Sequence, residues 1–231
     1  MPRKYAPFAI TMLLMAGCTT VAEPKSEYGP TIALQGGLSV PLMGGFTARG
    51  GAVQITENYA ATVRHNWFLK PSGAVNDTAQ DLALFPHAGT PRAFALAKQG
   101  EPVTVWCNGH FLSNLAESAI GVPGWAFPDR NARQASVIDA RFITWSGGDT
   151  VDAIFLTDET QNGIGVGCSG GAVTSAAGRV LGMLVGQIDE AITFPATAQF
   201  PAETIPAGSH VALTIHEIQR AMSDMRRGGK I

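Results

Sequence analysis

Short apolar runs, each bounded by glycine, proline or asparagine, constrain the fold of this chain more than any other feature of its sequence. No long run with the helical period of 3.6 precedes residue 208. The 231 residues include 27 glycines and 14 prolines, an excess that is typical of many tight turns. Short strands separated by turn signals predict an all-β sandwich or barrel fold. The apolar runs are 52–56, 59–63, 82–85, 102–106, 136–144, 152–156, 172–174 and 180–185.

The turn signals and the end of the chain divide the sequence further. The composition of residues 93–100 is typical of a linker between two β halves, which would cover residues 33–97 and 98–207. Residues 172–185 are predicted to form a hairpin in which Gly178 takes the positive φ of the turn. From His210 onward the apolar spacing becomes helical, so an amphipathic helix is predicted over 208–228 with Ser209 as its cap.

The N-terminus has the anatomy of an export signal. Arg3 and Lys4 precede a short apolar stretch, 6–16, that is too short to span a bilayer. The stretch ends in Leu-Met-Ala-Gly followed by Cys18, which resembles the lipobox of bacterial lipoproteins. The resemblance implies a signal peptide over 1–17, a lipid on Cys18, a polar tether over 18–32, and anchoring in the bacterial cell envelope, at the outer membrane facing the periplasm. The alternative is a plain leader that is cleaved elsewhere.

Charge and composition exclude several classes of function. The chain has 16 Lys and Arg against 18 Asp and Glu, a net charge of −2, so it offers no basic surface for a nucleic-acid backbone. It contains neither His-Glu-x-x-His nor Cys-x-x-Cys, so no metal site and no cofactor are expected.

Three segments carry residues that could do chemistry together. In Gly167-Cys168-Ser169-Gly170-Gly171, glycines flank a serine whose neighbouring N–H groups could converge on one oxygen. A serine is a weak nucleophile unless a base activates it. A glycine pair and two predicted strands lead to His65, and Asp81 stands at the start of another predicted strand.

The order His, Asp, Ser along an all-β chain, with these three local motifs, resembles the chymotrypsin/trypsin-like serine peptidases. The resemblance implies two antiparallel Greek-key β-barrels with a C-terminal helix, acting on polypeptide substrates. It implies that Ser169 is the nucleophile, His65 the general base and Asp81 the group that orients it. It also implies an oxyanion hole formed by the N–H groups of Gly167 and Ser169.

The resemblance further implies where a substrate would bind. Gly163 would lie in the wall of the primary specificity pocket. Val185, Gly186 and Gln187 would belong to the edge strand that pairs with the substrate backbone. No charged residue is evident at the base of that pocket, so an apolar or small side chain is the expected preference.

The sequence departs from the family pattern near all three predicted catalytic residues. Arg64 stands where the family has a small residue, and only sixteen positions separate His65 from Asp81, so a hairpin of the first barrel must be abridged. Asp77 is an alternative acid. Cys168 replaces the family's Asp or Asn before the nucleophile.

The two cysteines outside the leader are the remaining feature. In trypsin-like folds, the region of Cys107 lies under the turn that bears the nucleophile. The resemblance therefore implies a disulfide between Cys107 and Cys168 in an oxidising compartment. The alternative is two buried free thiols.

Two other functions fit parts of the sequence. An α/β-hydrolase esterase would use the Gly-x-Ser-x-Gly pattern as a nucleophile elbow, with Asp189 and either His210 or His216 as partners. The strand-helix alternation that this fold requires is not evident. A lipoprotein that keeps the barrel scaffold and has lost turnover would instead be a binding or assembly module of the envelope.

Overall fold

The computed structural model describes residues 19–21, 29–40, 44–66, 69, 71–77, 80–108, 132–144, 149–158, 163–165, 167–196 and 202–231. The predicted signal peptide and Cys18 lie outside these residues, and both stay predictions.

The first half of the chain forms a six-stranded antiparallel sheet, with the strand order β1-β2-β3-β4-β6-β5. Strands β2, β3 and β4 form a meander, and β4 then pairs with β6. The strands are β1 (Thr19–Val21), β2 (Thr31–Val40), β3 (Gly44–Thr56), β4 (Tyr59–Val63), β5 (Val75–Asp77) and β6 (Leu82–Pro86).

The second half forms a closed barrel of six strands, which pair around the ring in the order β10-β11-β14-β9-β8-β7. The fourth of these strands along the chain, β10, returns to pair with the first, β7, which is the Greek-key arrangement. The barrel strands are β7 (Pro102–Trp106), β8 (Ala132–Thr144), β9 (Thr150–Asp158), β10 (Ala172–Ser175), β11 (Val180–Gln187) and β14 (His210–Thr214). A separate hairpin consists of β12 (Ile192–Phe194) and β13 (Glu203–Ile205).

The predicted all-β fold is confirmed, and every one of the eight apolar runs lies within a strand. The runs 82–85 and 180–185 are apolar throughout because their strands are buried on both faces there. In β4, Ala60 packs in one apolar cluster with Phe85, while Ala61 and Val63 pack in a larger cluster that also contains Phe155 of the barrel. That larger cluster includes residues of the sheet, the barrel and the C-terminal helix, so it joins the two halves.

The predicted helix over 208–228 begins too early. The helix α1 spans Ile215–Arg227, and Thr214, not Ser209, caps it by accepting a hydrogen bond from the N–H of Glu217. Residues 210–214 form β14, which is buried along its whole length and pairs with both β9 and β11. The apolar residues Val211 and Leu213 fit both the helical period of 3.6 and the strand period of 2. The segment is a strand because it can pair with a neighbouring strand on each side.

The predicted tether over 18–32 is also wrong in part. Strand β1 pairs with β2, with Val21 opposite Leu34, and β2 already begins at Thr31. A ladder of backbone hydrogen bonds does not require apolar side chains, so a polar segment can supply an edge strand. The predicted linker over 93–100 lies along the barrel, where Val180 N donates to Ala93 O and Ala95 N donates to Val180 O.

Candidate active site

Strand pairing brings His65 and Asp81 together. Strands β4 and β6 are antiparallel, with Val63 opposite Leu82, so the residues just after β4 and just before β6 meet at one edge of the sheet. The Nδ1 of His65 lies 2.6 Å from Oδ2 of Asp81. The backbone N–H of His65 donates to Oδ1 of the same carboxylate at 3.0 Å.

This double contact fixes the tautomer of the histidine. A carboxylate only accepts hydrogen bonds, so in the neutral imidazole Nδ1 carries the hydrogen and Nε2 the lone pair. The side chain of His65 is 47% exposed while that of Asp81 is 17% exposed. The histidine ring is therefore open to a reacting group, and the carboxylate that orients the ring is largely shielded.

Two features are specific to the Asp81 position. Its φ of 52° lies in the left-handed region, which aspartate tolerates better than most residues. Arg64 approaches the same carboxylate, with Nε 3.8 Å from Oδ1. Asp81 therefore contacts two basic side chains, because Arg64 stands where a small residue is usual.

The alternative acid, Asp77, lies elsewhere. It is on β5, where it pairs with Leu82. Its charge contributes to raising the pKa of Arg220 on α1, for which the hydrogen bond with Glu217 is the largest cause. The carboxylate that the structure places against His65 is that of Asp81.

The turn that carries Ser169 is folded tightly against both halves, and it can only be made with glycines. Gly171 N donates to Cys168 O at 2.8 Å. A Cβ atom on Gly170, whose φ is +82°, would lie 2.0 Å from Gly51 O, and one on Gly171 would lie 2.0 Å from Trp106 O. Any larger residue at either position would have to displace backbone atoms.

Within the described residues, two backbone N–H groups of this turn do not donate a hydrogen bond. Cys168 N donates to Gly165 O and Gly170 N donates to Leu184 O. The N–H groups of Gly167 and Ser169 have no acceptor within the part of the chain that the structure describes. These are the two groups predicted to form the oxyanion hole, and an anion-binding site needs donors of this kind.

The predicted disulfide between Cys107 and Cys168 is confirmed, and it anchors this turn to the barrel. Both cysteines are buried. The next residue, Asn108, extends the anchor, since its N–H donates to Gly167 O and its side-chain amide donates to Leu34 O and Gly50 O of the first half.

Ser169 lies against the segment that carries His65. Its carbonyl oxygen accepts hydrogen bonds from Gly51 N at 2.9 Å and from Asn66 Nδ2 at 3.1 Å. Asn66 follows His65 directly in the chain. No hydrogen bond joins Ser169 Oγ to the His65 ring in the described residues.

The predicted substrate-binding residues lie near this turn. Leu184 exchanges two backbone hydrogen bonds with Gly170 and Gly171. Beyond Leu184, Gly186 and Gln187 pair with β14 on one side only, because the pairing of β11 with β10 ends at Met183. Val185 is buried, Gly186 is half-buried and Gln187 is exposed. Gly163 is exposed, with a φ of +62°.

Three polar residues of the site escaped the sequence analysis. Thr31 Oγ1 accepts from Ala172 N at 2.9 Å and donates to Trp106 O at 3.2 Å, yet it lies in the segment predicted as a tether. Asn66 and Asn108 make the contacts described above. For Asn66 and Asn108 the only signal in the sequence is their place next to a predicted catalytic residue or cysteine, and Thr31 has no such signal.

The esterase alternative is contradicted by the fold. A nucleophile elbow requires a helix directly after the serine, whereas Ser169 is followed by two glycines and β10. His210 lies on β14 and His216 on α1.

Comparison with known proteins agrees with the observed fold. No family model matches the chain, and no curated protein sequence matches it. Among solved structures, it is similar to the active form of the Rv3671c protease from M. tuberculosis, with 19% identity and a TM-score of 0.53 over 86% of this chain and 82% of that chain. It is also similar to the HtrA-type protease AlgW, with 16% identity and a TM-score of 0.50 over 78% of this chain and 56% of that chain. The chain therefore has the fold of trypsin-like serine proteases.

In the described residues, no helix is both long and apolar enough to cross a bilayer.

Proposed function

We propose that this protein is a serine endopeptidase that cleaves polypeptides through an acyl-enzyme on Ser169. His65 is the general base, Asp81 holds and orients its ring, and the N–H groups of Gly167 and Ser169 form the oxyanion hole. The observation that carries the proposal is the His65–Asp81 pair, 2.6 Å between Nδ1 and Oδ2, on a segment hydrogen-bonded to Ser169 itself.

Each step uses a group whose position supports it. Ser169 Oγ attacks the scissile carbonyl carbon while His65 Nε2 takes the hydroxyl proton. The carbonyl oxygen becomes an oxyanion, which the two N–H groups stabilise by about 3 kcal/mol each. The tetrahedral intermediate collapses to the acyl-enzyme, the C–N bond breaks, and His65 gives its proton to the leaving amine. Water, deprotonated by His65, then attacks the ester carbon, the bond between that carbon and Ser169 Oγ breaks, and His65 returns the proton to Oγ.

The position of Asp81 supports its assigned role. The imidazolium that forms during both steps lies against a carboxylate, which stabilises its charge. The second bond, from His65 N to Oδ1, ties the backbone of the base to the same group. The ring thus keeps one orientation throughout the cycle.

The substrate backbone would bind as an added strand along the outer edge of Val185, Gly186 and Gln187. This edge lies beside the turn of Ser169, since Leu184 is hydrogen-bonded to that turn. The P1 side chain would then lie near Gly163. A small or apolar P1 residue remains the expected preference.

The proposal includes a cellular location for the protein. A lipid on Cys18 would anchor it in the bacterial envelope, at the outer membrane facing the periplasm, where the disulfide would persist. Metabolic labelling with a radioactive fatty acid tests this, since Cys18→Ser should abolish the label.

Labelling with a fluorophosphonate probe tests the catalytic proposal. The wild-type protein should be labelled, and Ser169→Ala and His65→Ala should both abolish the label. Circular dichroism verifies that both variants are folded. Asp77→Asn serves as a control variant that should still be labelled. Failure of the folded wild-type protein to react would favour a binding or assembly module that has lost turnover.

A further inference from the structure

A closed ring of hydrogen bonds connects the segment that carries His65 to the turn that carries Ser169. Asn66 Nδ2 donates to Ser169 O at 3.1 Å and to Thr62 Oγ1 at 3.3 Å. Thr62 Oγ1 donates to Gly51 O at 2.7 Å. Gly51 N donates to Ser169 O at 2.9 Å, which closes the ring. Both hydrogens of one carboxamide nitrogen are therefore used, one toward each half of the molecule.

The ring is buried and closely packed. Asn66 is 7% exposed and Thr62 is fully buried. A Cβ atom on Gly50 would lie 2.6 Å from Asn66 Nδ2, and one on Gly170 would lie 2.8 Å from Thr62 Oγ1. These glycines leave just enough room for the carboxamide and the hydroxyl. A buried amide donor that lost its acceptor could not turn to water, so the ring holds as a unit.

We infer that Asn66 is a positioning residue, which sets the distance between the nucleophile and the base. This inference rests on the proposed peptidase activity. The hydrogen bonds to Ser169 O fix the peptide group that follows Ser169, and with it the rotation of the Ser169 backbone that places Oγ. Since Asn66 follows His65 directly, the turn cannot shift relative to the histidine without breaking the ring.

Two substitutions separate this role from simple filling of space. Asn66→Ala removes the donor and the volume. Asn66→Asp keeps the shape but presents only acceptor oxygens to the Ser169 carbonyl. A misplaced reacting group costs about 10- to 100-fold in rate. We expect both variants to lose that much in the second-order rate of inactivation by a small sulfonyl fluoride, with Asp at least as impaired as Ala.

The chain contains a matched control. Gln54 is another buried carboxamide of the same sheet, 6% exposed, and it donates to three backbone carbonyls away from Ser169. Gln54→Ala should lower stability and leave the inactivation rate of the folded protein unchanged. With a peptide substrate, the Asn66 variants should lose kcat while KM stays near the wild-type value. This split is not expected of a residue that only stabilises the fold.

Two results would overturn the inference: an Asn66→Asp variant that reacts faster than Asn66→Ala, or an equal loss of rate in Gln54→Ala. Hydrogen exchange measured by mass spectrometry gives a readout that needs no activity. Peptides covering 167–171 should exchange faster in both Asn66 variants and at the wild-type rate in Gln54→Ala. If the wild-type protein does not react at all, the peptidase proposal fails. The exchange experiment then decides whether Asn66 holds the turn, and unchanged exchange refutes it.

Discussion

Reduction of the Cys107–Cys168 disulfide should lower the free energy of unfolding by about 4 kcal/mol. The bridge joins residues separated by 61 positions. Closing a loop of that length removes about 14 cal/mol/K of entropy from the unfolded chain, which is about 4 kcal/mol at 25 °C. For a chain of this size the corresponding fall in Tm is about 10 °C.

The loss of stability on reduction comes from the greater entropy of the unfolded chain, because reduction changes the folded state little. Both sulfur atoms are buried, with Cys107 1% and Cys168 2% exposed. Two reduced thiols fill almost the same space as the bridge and bury no strongly polar group. The pairing of β7 with β10, which lies next to the bridge, does not depend on the S–S bond. The 4 kcal/mol is an upper estimate, since a compact unfolded chain has less entropy to lose.

Urea denaturation with and without reductant is the assay, with free thiols titrated in each sample. Cys18→Ser is the control, because it removes the third thiol and leaves the bridge intact, so it should show the same loss on reduction. The double variant Cys107→Ala/Cys168→Ala should be destabilised at least as much as the reduced protein. Full reduction of both thiols with no change in the unfolding midpoint would refute the reasoning.

Three further predictions concern single residues. Asp81→Asn should lower kcat by about 10⁴-fold with little change in KM, since the histidine tautomer is lost. Asp77→Asn should leave kcat unchanged, and equal losses of kcat in a steady-state peptidase assay would contradict the assignment of Asp81. Gly170→Ala should destabilise by about 1–3 kcal/mol more than Gly178→Ala in urea denaturation, because both glycines have positive φ but a Cβ atom has open space only at Gly178. The pKa of Asp152 is raised, mainly by burial, so folding favours the protonated form of this carboxyl group. The stabilisation is fully present below pH 3.8, the ordinary pKa of aspartate, and is lost as the pH rises through the folded-state pKa. Asp152→Asn should therefore be more stable than wild type at pH 7, and denaturation curves at pH 3 should show that this gain has disappeared.

The positions of the strands followed from the sequence because the physical signal is local. A strand buried on both faces is largely apolar, as residues 82–85 and 180–185 are, and such runs stand out between glycines and prolines. Strands β1, β2, β5, β12 and β13 were not among the predicted runs, since a ladder of backbone hydrogen bonds can form without a distinctive side-chain pattern. Residues 210–214 were assigned to the helix because their apolar residues fit both periods, and only pairing with β9 and β11 separates them.

The candidate catalytic residues could be proposed from motif order and resemblance, but their contacts could not. The resemblance favoured Asp81 over Asp77 as the partner of His65, but it could not show that the two side chains meet. The register of β4 against β6 does, because it brings residues 65 and 81 to the same edge of the sheet. The role of Asn66 was invisible for the same reason, since its acceptor on Ser169 is 103 positions away.

The sequence by itself determined where eight of the described strands form and that Gly178 takes the turn of a hairpin, because these depend on the conformational preferences of neighbouring residues. Tertiary structure alone showed that the predicted carboxylate meets the histidine, which amide holds the carbonyl of Ser169, and where the last strand ends and the helix begins. Those choices depend on register and on packing between distant strands, whose energies appear only when the two halves of the chain come together.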